Sequence, residues 1–554
     1  MKKVILIYLC LLTFWGQASA QPSAVQKVAR SVFKLTTYRA DGSIIATSNG
    51  FFITADGVAL GEWTPFVGAV RAEVTDANGK NYPVDCICGA NALYDVAKFR
   101  VEGRFTPVLV AKSVSDKETQ FWGVGYSTKK VASVAMNVSK AESFMERYLY
   151  YVLTPSIDKE MTGCPLVNAK GEVVGVLQRS MTTGETTATS ALYVANFQPE
   201  ALSLNDPTLR RTSIRIDLPD DKEQALLPLM MSSEQRDSAG YVSIVEAFIK
   251  KFPNAHDGYV ARAGINMAAG QFAQATRDME TALKCAEKKD EVHFAYANLM
   301  YQKELYHTDK AYADWSLDKA FEEAQKAYDL NPLPVYKHLQ GQIDYVKGNY
   351  QQAYDMFMSL TQTSLKNSEL YYEGAQCKRM LNGSKQEIME LLDSAVAVCP
   401  KPLTASSAPY FLARAMYLDE MGEYRRAIRD YNQYDTLMVG RIGADFYYMR
   451  EQCEVKGKLY KQALEDIDKS IYLAPREPMY WAEKASLLLR VNMNDEAFAT
   501  AEYCVKIAPE YAEGYLLRGL ASIQRGQKKQ GLEDLQKAKD LGNEQAQTLI
   551  DKYK

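Results

Sequence analysis

Three small residues, Ala463, Ala497 and Gly531, stand thirty-four positions apart in this 554-residue chain, and Pro475 and Pro509 repeat at the same interval. Asn543 stands where the next proline would fall. A period of this length means that one structural unit recurs, because a unit that cannot bury its own apolar face must stack on a copy of itself. Each small residue marks a close crossing of two helices. Each proline ends the second helix, since it has no N–H to continue the ladder. The chain is also too long for one hydrophobic core, so several domains or a repeat array are required.

Gly519, Gly526, Gly531, Leu535 and Ala538 set out the small and apolar positions of one unit. Earlier units carry Ala263, Gly270, Ala275 and Ala282; Ala320, Ala324, Ala327 and Pro332; Gly341, Gly348, Ala353 and Phe357; Ala375, Leu392, Ala395 and Pro400; and Ala415, Gly422, Ala427 and Tyr431. This pattern resembles tetratricopeptide repeats. About eight units are expected over residues 233–542, with looser spacing where residues 306–315 and 402–407 add length. Residues 543–554, with Gln545, Gln547, Asp551 and Lys552, read as a capping helix.

The resemblance implies a curved all-α solenoid whose first helices line a groove for protein or peptide segments. Counting from the small-residue position of each first helix, three units place a ring three residues before it and a glutamine one after: His338 and Gln342, Tyr372 and Gln376, Tyr448 and Gln452. Glutamine amides can bond an extended backbone without reading its sequence, and rings offer flat apolar contact. Leu412 and Met416 break the pattern in the intervening unit. The alternative is that these rings pack between neighbouring helices. The lysine and asparagine pairing with which some repeats of this family grip a C-terminal carboxylate is not visible.

The first part of the chain has a different texture. Short β-branched or aromatic runs, at Ser31-Val-Phe-Lys-Leu-Thr-Thr, Gly50-Phe-Phe-Ile-Thr and Gly171-Glu-Val-Val-Gly-Val-Leu, alternate with turn signals at Asp41-Gly42, Asp56-Gly57, Asn78-Gly79 and Lys170-Gly171. Many short strands with regular turns imply an antiparallel sandwich or barrel. Residues 202–232, beginning in a stretch with Pro199, Pro207 and Pro219, read as a linker or wrapping segment.

Three patches in residues 21–201 resemble, in order and approximate spacing, trypsin-like serine peptidases of the periplasmic Deg type. Ser48-Asn-Gly-Phe-Phe-Ile-Thr-Ala-Asp-Gly-Val-Ala-Leu matches the strand pair leading to the catalytic histidine, Ala92-Leu-Tyr-Asp-Val-Ala-Lys-Phe the aspartate segment, and Thr162-Gly-Cys-Pro-Leu-Val-Asn-Ala-Lys-Gly-Glu-Val-Val-Gly-Val the segment opening at the nucleophilic serine. The resemblance implies an all-β double barrel. It also implies a triad at Thr64, Asp95 and Thr162, and two of those positions depart from the pattern. Residues 21–201 hold no histidine, because His256, His293, His307 and His338 all come later. A hydroxyl nucleophile needs an adjacent base, so a cleft with no base within reach is expected not to cut. Glu160 stands where the family has an oxyanion-binding glycine, and a carboxylate there opposes developing negative charge. Cys164, with Lys159 as its base, is the alternative nucleophile; otherwise it is a buried cysteine.

Lys2 and Lys3, the apolar run from Val4 to Trp15, and Ala18-Ser19-Ala20 have the form of an export signal over residues 1–20. A periplasmic or secreted bacterial protein is expected, without a transmembrane anchor. Sixty-five basic and 68 acidic residues give a formal charge of −3, so no basic surplus exists for nucleic acid. Eight cysteines remain beyond the signal, at scattered single positions that do not form a dense disulfide framework. No metal site and no cofactor are expected: Cys86, Cys88 and Cys164 have no nearby histidine to complete a mixed set.

The expected function is that of an exported non-catalytic adaptor, a pseudoprotease cleft and a helical groove together binding protein segments. The alternatives are an active peptidase using Thr162 or Cys164, and a structural envelope scaffold. Oligomeric state is not legible.

Overall fold

The computed structural model describes residues 22–113, 118–128, 131–180, 183–233 and 238–554. The expected export signal, residues 1–20, lies outside the described residues. The chain divides into two compact units after Lys288.

Among the described residues, the first unit opens with twelve strands in two closed antiparallel barrels, each of six. The first barrel comprises β1 (Val32–Tyr38), β2 (Ile44–Phe52), β3 (Val58–Gly61), β4 (Arg71–Thr75), β5 (Asn81–Asn91) and β6 (Val96–Val101), in the order β1-β2-β3-β6-β5-β4. The second comprises β7 (Gln120–Gly125), β8 (Ala132–Phe144), β9 (Tyr148–Thr154), β10 (Pro165–Val167), β11 (Val173–Arg179) and β12 (Thr186–Ser190), in the order β10-β11-β12-β9-β8-β7. Closure removes the exposed edges that an open sheet would present. Gly42, Gly57, Gly79 and Gly171 all take positive φ, between 77° and 95°. That explains why each aspartate, asparagine or lysine turn ends on glycine.

Each barrel encloses its own core. Phe33, Phe52, Phe66 and Phe99 fill the first, with ring centroids 4.5 Å apart for Phe33 and Phe52 and 5.0 Å for Phe66 and Phe99. Phe121, Tyr151, Leu166, Val176 and Leu177 belong to the core of the second.

The segment after the barrels wraps the first one. Ile216 forms a parallel bridge with Ile87, whose N–H donates to the Arg215 carbonyl at 2.8 Å and whose carbonyl accepts from Asp217 N–H at 2.9 Å. Arg215 Nη2 pairs with Asp85 Oδ1 at 2.8 Å, and Ile214 and Ile216 bury themselves in the first barrel's core cluster. Helices Lys222–Ser233, Ser238–Lys251, His256–Ala268 and Phe272–Cys285 complete this unit.

The second unit is helical throughout, from Lys289–Tyr306 to the short Ala546–Tyr553. From His256 onward the described helices pair as the thirty-four-residue period requires, with His256–Ala268 and Phe272–Cys285 the first pair and Ala512–Gln524 and Lys528–Asp540 the eighth. Small residues mark the crossings: a Cβ added to Gly519 would stand 2.8 Å from the Gly531 carbonyl, and one on Gly531 2.6 Å from the Gly519 carbonyl. Four pairs also carry an internal ionic clamp. Arg262–Asp278, Arg414–Asp430, Arg450–Asp466 and Arg518–Asp534 each join first helix to second across sixteen positions, through two guanidinium nitrogens. A planar guanidinium matches a carboxylate in two parallel bonds and so fixes helix register as well as distance.

Candidate functional site: a remodelled cleft

The segments expected to carry the triad do converge between the two barrels. Of the three expected triad positions, Asp95 lines a cleft of about 500 Å³ together with Glu62, Tyr94, Phe144, Tyr150 and Gln178, whereas Thr64 and Thr162 are not among its lining residues. Asp95 adopts φ +47°, an uncommon conformation for a residue with a Cβ. Its carboxylate accepts the Thr64 backbone N–H at 2.6 Å, so it caps the short 3-10 turn Thr64–Phe66. Thr64 itself is exposed and offers no base.

The cleft nevertheless holds a group that sequence reasoning passed over. Glu62, two residues before the expected histidine position, accepts a hydrogen bond from Ser48 Oγ at 2.5 Å and lies within hydrogen-bonding reach of the Thr162 side chain. Burial pushes its carboxyl up to about 7; the Ser48 hydroxyl opposes the shift, and the Asp95 carboxylate adds to it. The expectation of a cleft with no proton acceptor is therefore corrected. The family's pattern places a histidine at this point, and an acid beside Trp63 carries no motif of its own.

Around Thr162 the backbone is closed rather than open. Residues Lys159–Met161 form a 3-10 turn, and the Lys159 carbonyl accepts both the Thr162 amide at 3.3 Å and the Thr162 hydroxyl at 3.1 Å. One hydroxyl proton cannot be given to the Lys159 carbonyl and to Glu62 together. The turn is pinned from the first barrel, where Asn49 Nδ2 donates to the carbonyls of Glu160 at 2.7 Å and of Thr162 at 2.9 Å. Gly163, at φ +78°, makes this approach possible, since a Cβ there would fall 2.1 Å from the Asn49 carbonyl oxygen. An oxyanion beside Thr162 would need free amide donors aimed at it. The Thr162 amide is spent inside the turn.

Cys164 is fully buried, and its thiol is pushed up to about 12 by that burial. A thiol held protonated and away from solvent is no nucleophile. All eight cysteines from Cys86 to Cys504 are free, and Cys285 alone among them is not buried.

In the second unit the six expected groove residues are all half-buried. His338 Nε2 and Glu373 Oε2 lie 2.6 Å apart, and Gln342 Nε2 donates to Glu373 Oε1 at 2.8 Å, so this ring and its glutamine converge on one carboxylate. Tyr372 meets Tyr410 edge-on at 6.1 Å, and Tyr448 lies 5.5 Å from Tyr480. Gln452 donates to Glu451 at 2.7 Å, a buried acid whose carboxyl burial pushes up to about 8. The acids Glu369, Glu373 and Glu451 beside these rings were missed because charged helix positions read as solvated surface.

No family model matches the chain. Among curated proteins it is similar to the small glutamine-rich tetratricopeptide repeat-containing protein 2 of Mycosarcoma maydis, 28% identical over 87 residues, or 16% of this chain and 25% of that one. It is also similar to the TPR repeat-containing thioredoxin TDX of Arabidopsis thaliana, 29% identical over 94 residues, 17% of this chain and 25% of that one. The chain thus spans about a quarter of the length of these relatives. Among solved structures it aligns with the active form of the Rv3671c protease of M. tuberculosis at 17% identity and a TM-score of 0.29, over 33% of this chain and 85% of that one. The inactive form aligns at 16% identity and 0.27, over 33% and 93%. The chain thus comprises two closed six-stranded antiparallel barrels followed by an array of helix pairs, and part of it is similar to curated tetratricopeptide-repeat proteins.

Proposed function

We propose that this chain is an exported, non-cleaving adaptor that holds extended protein segments in the cleft between its barrels and along its helical repeats. The observation that carries this reading is the Lys159 carbonyl, which takes both the amide and the hydroxyl of Thr162. Cleavage needs that amide for an oxyanion and that hydroxyl for attack. Binding needs neither. A cleft lined by Tyr94, Phe144 and Tyr150 as well as by Gln178 and Asp95 still offers an extended chain both apolar and polar contacts. Export rests on the charged, apolar and small-residue order of residues 1–20.

Binding is tested by the fluorescence anisotropy of labelled, unfolded casein titrated with the full chain. Saturable binding with the substrate recovered intact is expected, and Tyr94→Ala should weaken it. Absence of binding by the wild type would refute the adaptor.

One observation favours a second reading, a peptidase in which Glu62 serves as general base. Its carboxyl at about 7 is matched to proton transfer at neutral pH, and it adjoins Thr162. That reading requires the Lys159–Met161 turn to open on substrate binding. Turnover abolished in both Glu62→Gln and Thr162→Ala would establish it in place of the adaptor.

A further inference from the structure

Three side chains of the second unit aim their ligand atoms at one another from two helices. His338 stands on the helix Pro334–Lys347, and Glu369 and Glu373 stand four apart on the helix Ser368–Met380, one turn above the other on the same face. The imidazole nitrogen and the two carboxylate oxygens all lie within 4.8 Å of one another. Gln342 fixes the remaining oxygen of Glu373, and the His338 ring is held edge-on to Phe357 at 5.7 Å. Two of the three groups are thus oriented by neighbours, as ligands of a metal usually are.

We propose that His338, Glu369 and Glu373 bind one first-row divalent cation, best represented by Zn²⁺. One imidazole and two carboxylates form a donor set this ion accepts in tetrahedral geometry, with a fourth position left for water or a partner's side chain. Glu369 is the exposed member, so the ion has a path from solvent. Binding displaces the proton shared by His338 and Glu373. Mg²⁺ is a poor substitute, because it demands oxygen donors in octahedral geometry and sheds water reluctantly.

The test titrates ZnCl₂ into the full chain carrying ¹³C-labelled histidine and follows the ring resonance of His338, assigned by its loss in His338→Gln. A site-specific signal is needed because Cys86, Cys88 and Asp217 form a second convergent set, in the other unit. The His338 resonance should shift saturably with Zn²⁺ and stay put with Mg²⁺. Glu369→Gln, at an exposed position that leaves the fold intact, should weaken the apparent affinity at least about tenfold. A His338 resonance indifferent to Zn²⁺, an equal response to Mg²⁺, or unchanged affinity in Glu369→Gln would each overturn the assignment.

Discussion

Glu62 Oε2 accepts the Ser48 hydroxyl at 2.5 Å from a position where most of its hydration is lost. The consequence is a dependence of stability on pH with a definite sign. Burial raises the folded-state value from 4.5 to about 7, so between those limits the native protein binds more protons than the unfolded chain. Stability from this group is fully present below about 4.5 and is lost as pH rises through 7. The total is at most roughly 3–4 kcal/mol, at 1.36 kcal/mol per unit. Urea unfolding of wild type and Glu62→Gln at pH 5 and pH 8, followed by a reporter in the barrels, checks this. The wild type should lose stability over that interval relative to the variant.

Thiol chemistry separates a buried cysteine from a nucleophile. Brief treatment of the native protein with iodoacetamide should modify Cys285, the half-exposed thiol, and leave Cys164 untouched until the chain is unfolded. Peptide mass mapping reads the result directly. Rapid labelling of Cys164 would mean that its thiolate is accessible.

The joint between the barrels depends on a glycine. Gly163→Ala places a methyl group 2.1 Å from the Asn49 carbonyl oxygen, at a φ of +78° that alanine resists. A loss of at least about 2 kcal/mol is expected, combining backbone strain with displacement of the Asn49 bonds. Thermal unfolding should show this loss. Gly68→Ala, also at positive φ but with nothing within 4 Å, serves as a control for strain alone and should cost less.

The ion pairs of the helical array divide by burial. Arg450 and Asp466 are 4% and 3% exposed, whereas Arg525 and Asp495 are 28% and 83% exposed. Arg450→Ala leaves a buried carboxylate short of its main partner and should cost about 3–5 kcal/mol. Arg525→Ala removes an exposed pair and should cost about 1 kcal/mol or less. Chemical denaturation of the full-length variants, with hydrogen exchange to localise the effect, compares the two.

Much of the fold was legible because it rests on residues that have few substitutes. Gly42, Gly57, Gly79 and Gly171 announce turns that need positive φ, and Ala463, Ala497 and Gly531 announce crossings, where the two alanines are fully buried and a side chain on Gly531 would collide. The Arg–Asp clamps were not anticipated, although their aspartates, Asp278, Asp430, Asp466 and Asp534, each follow a small residue by three positions. Charged side chains at such positions look like solvated surface until the partner sixteen residues away is placed. At the cleft, the positions of Asp95 and Thr162 were visible. The roles of Glu62 and of the Lys159 carbonyl were not, because one is a long-range contact and the other depends on which way a peptide group faces.

The account turns on whether the turn around Thr162 stays closed when a substrate is present. Purified full-length protein incubated with unfolded casein and followed by mass spectrometry is the direct measurement. The substrate should remain uncut over a range of pH spanning 7, with wild type, Thr162→Ala and Glu62→Gln indistinguishable. Fragments produced by the wild type and absent with both variants would contradict it.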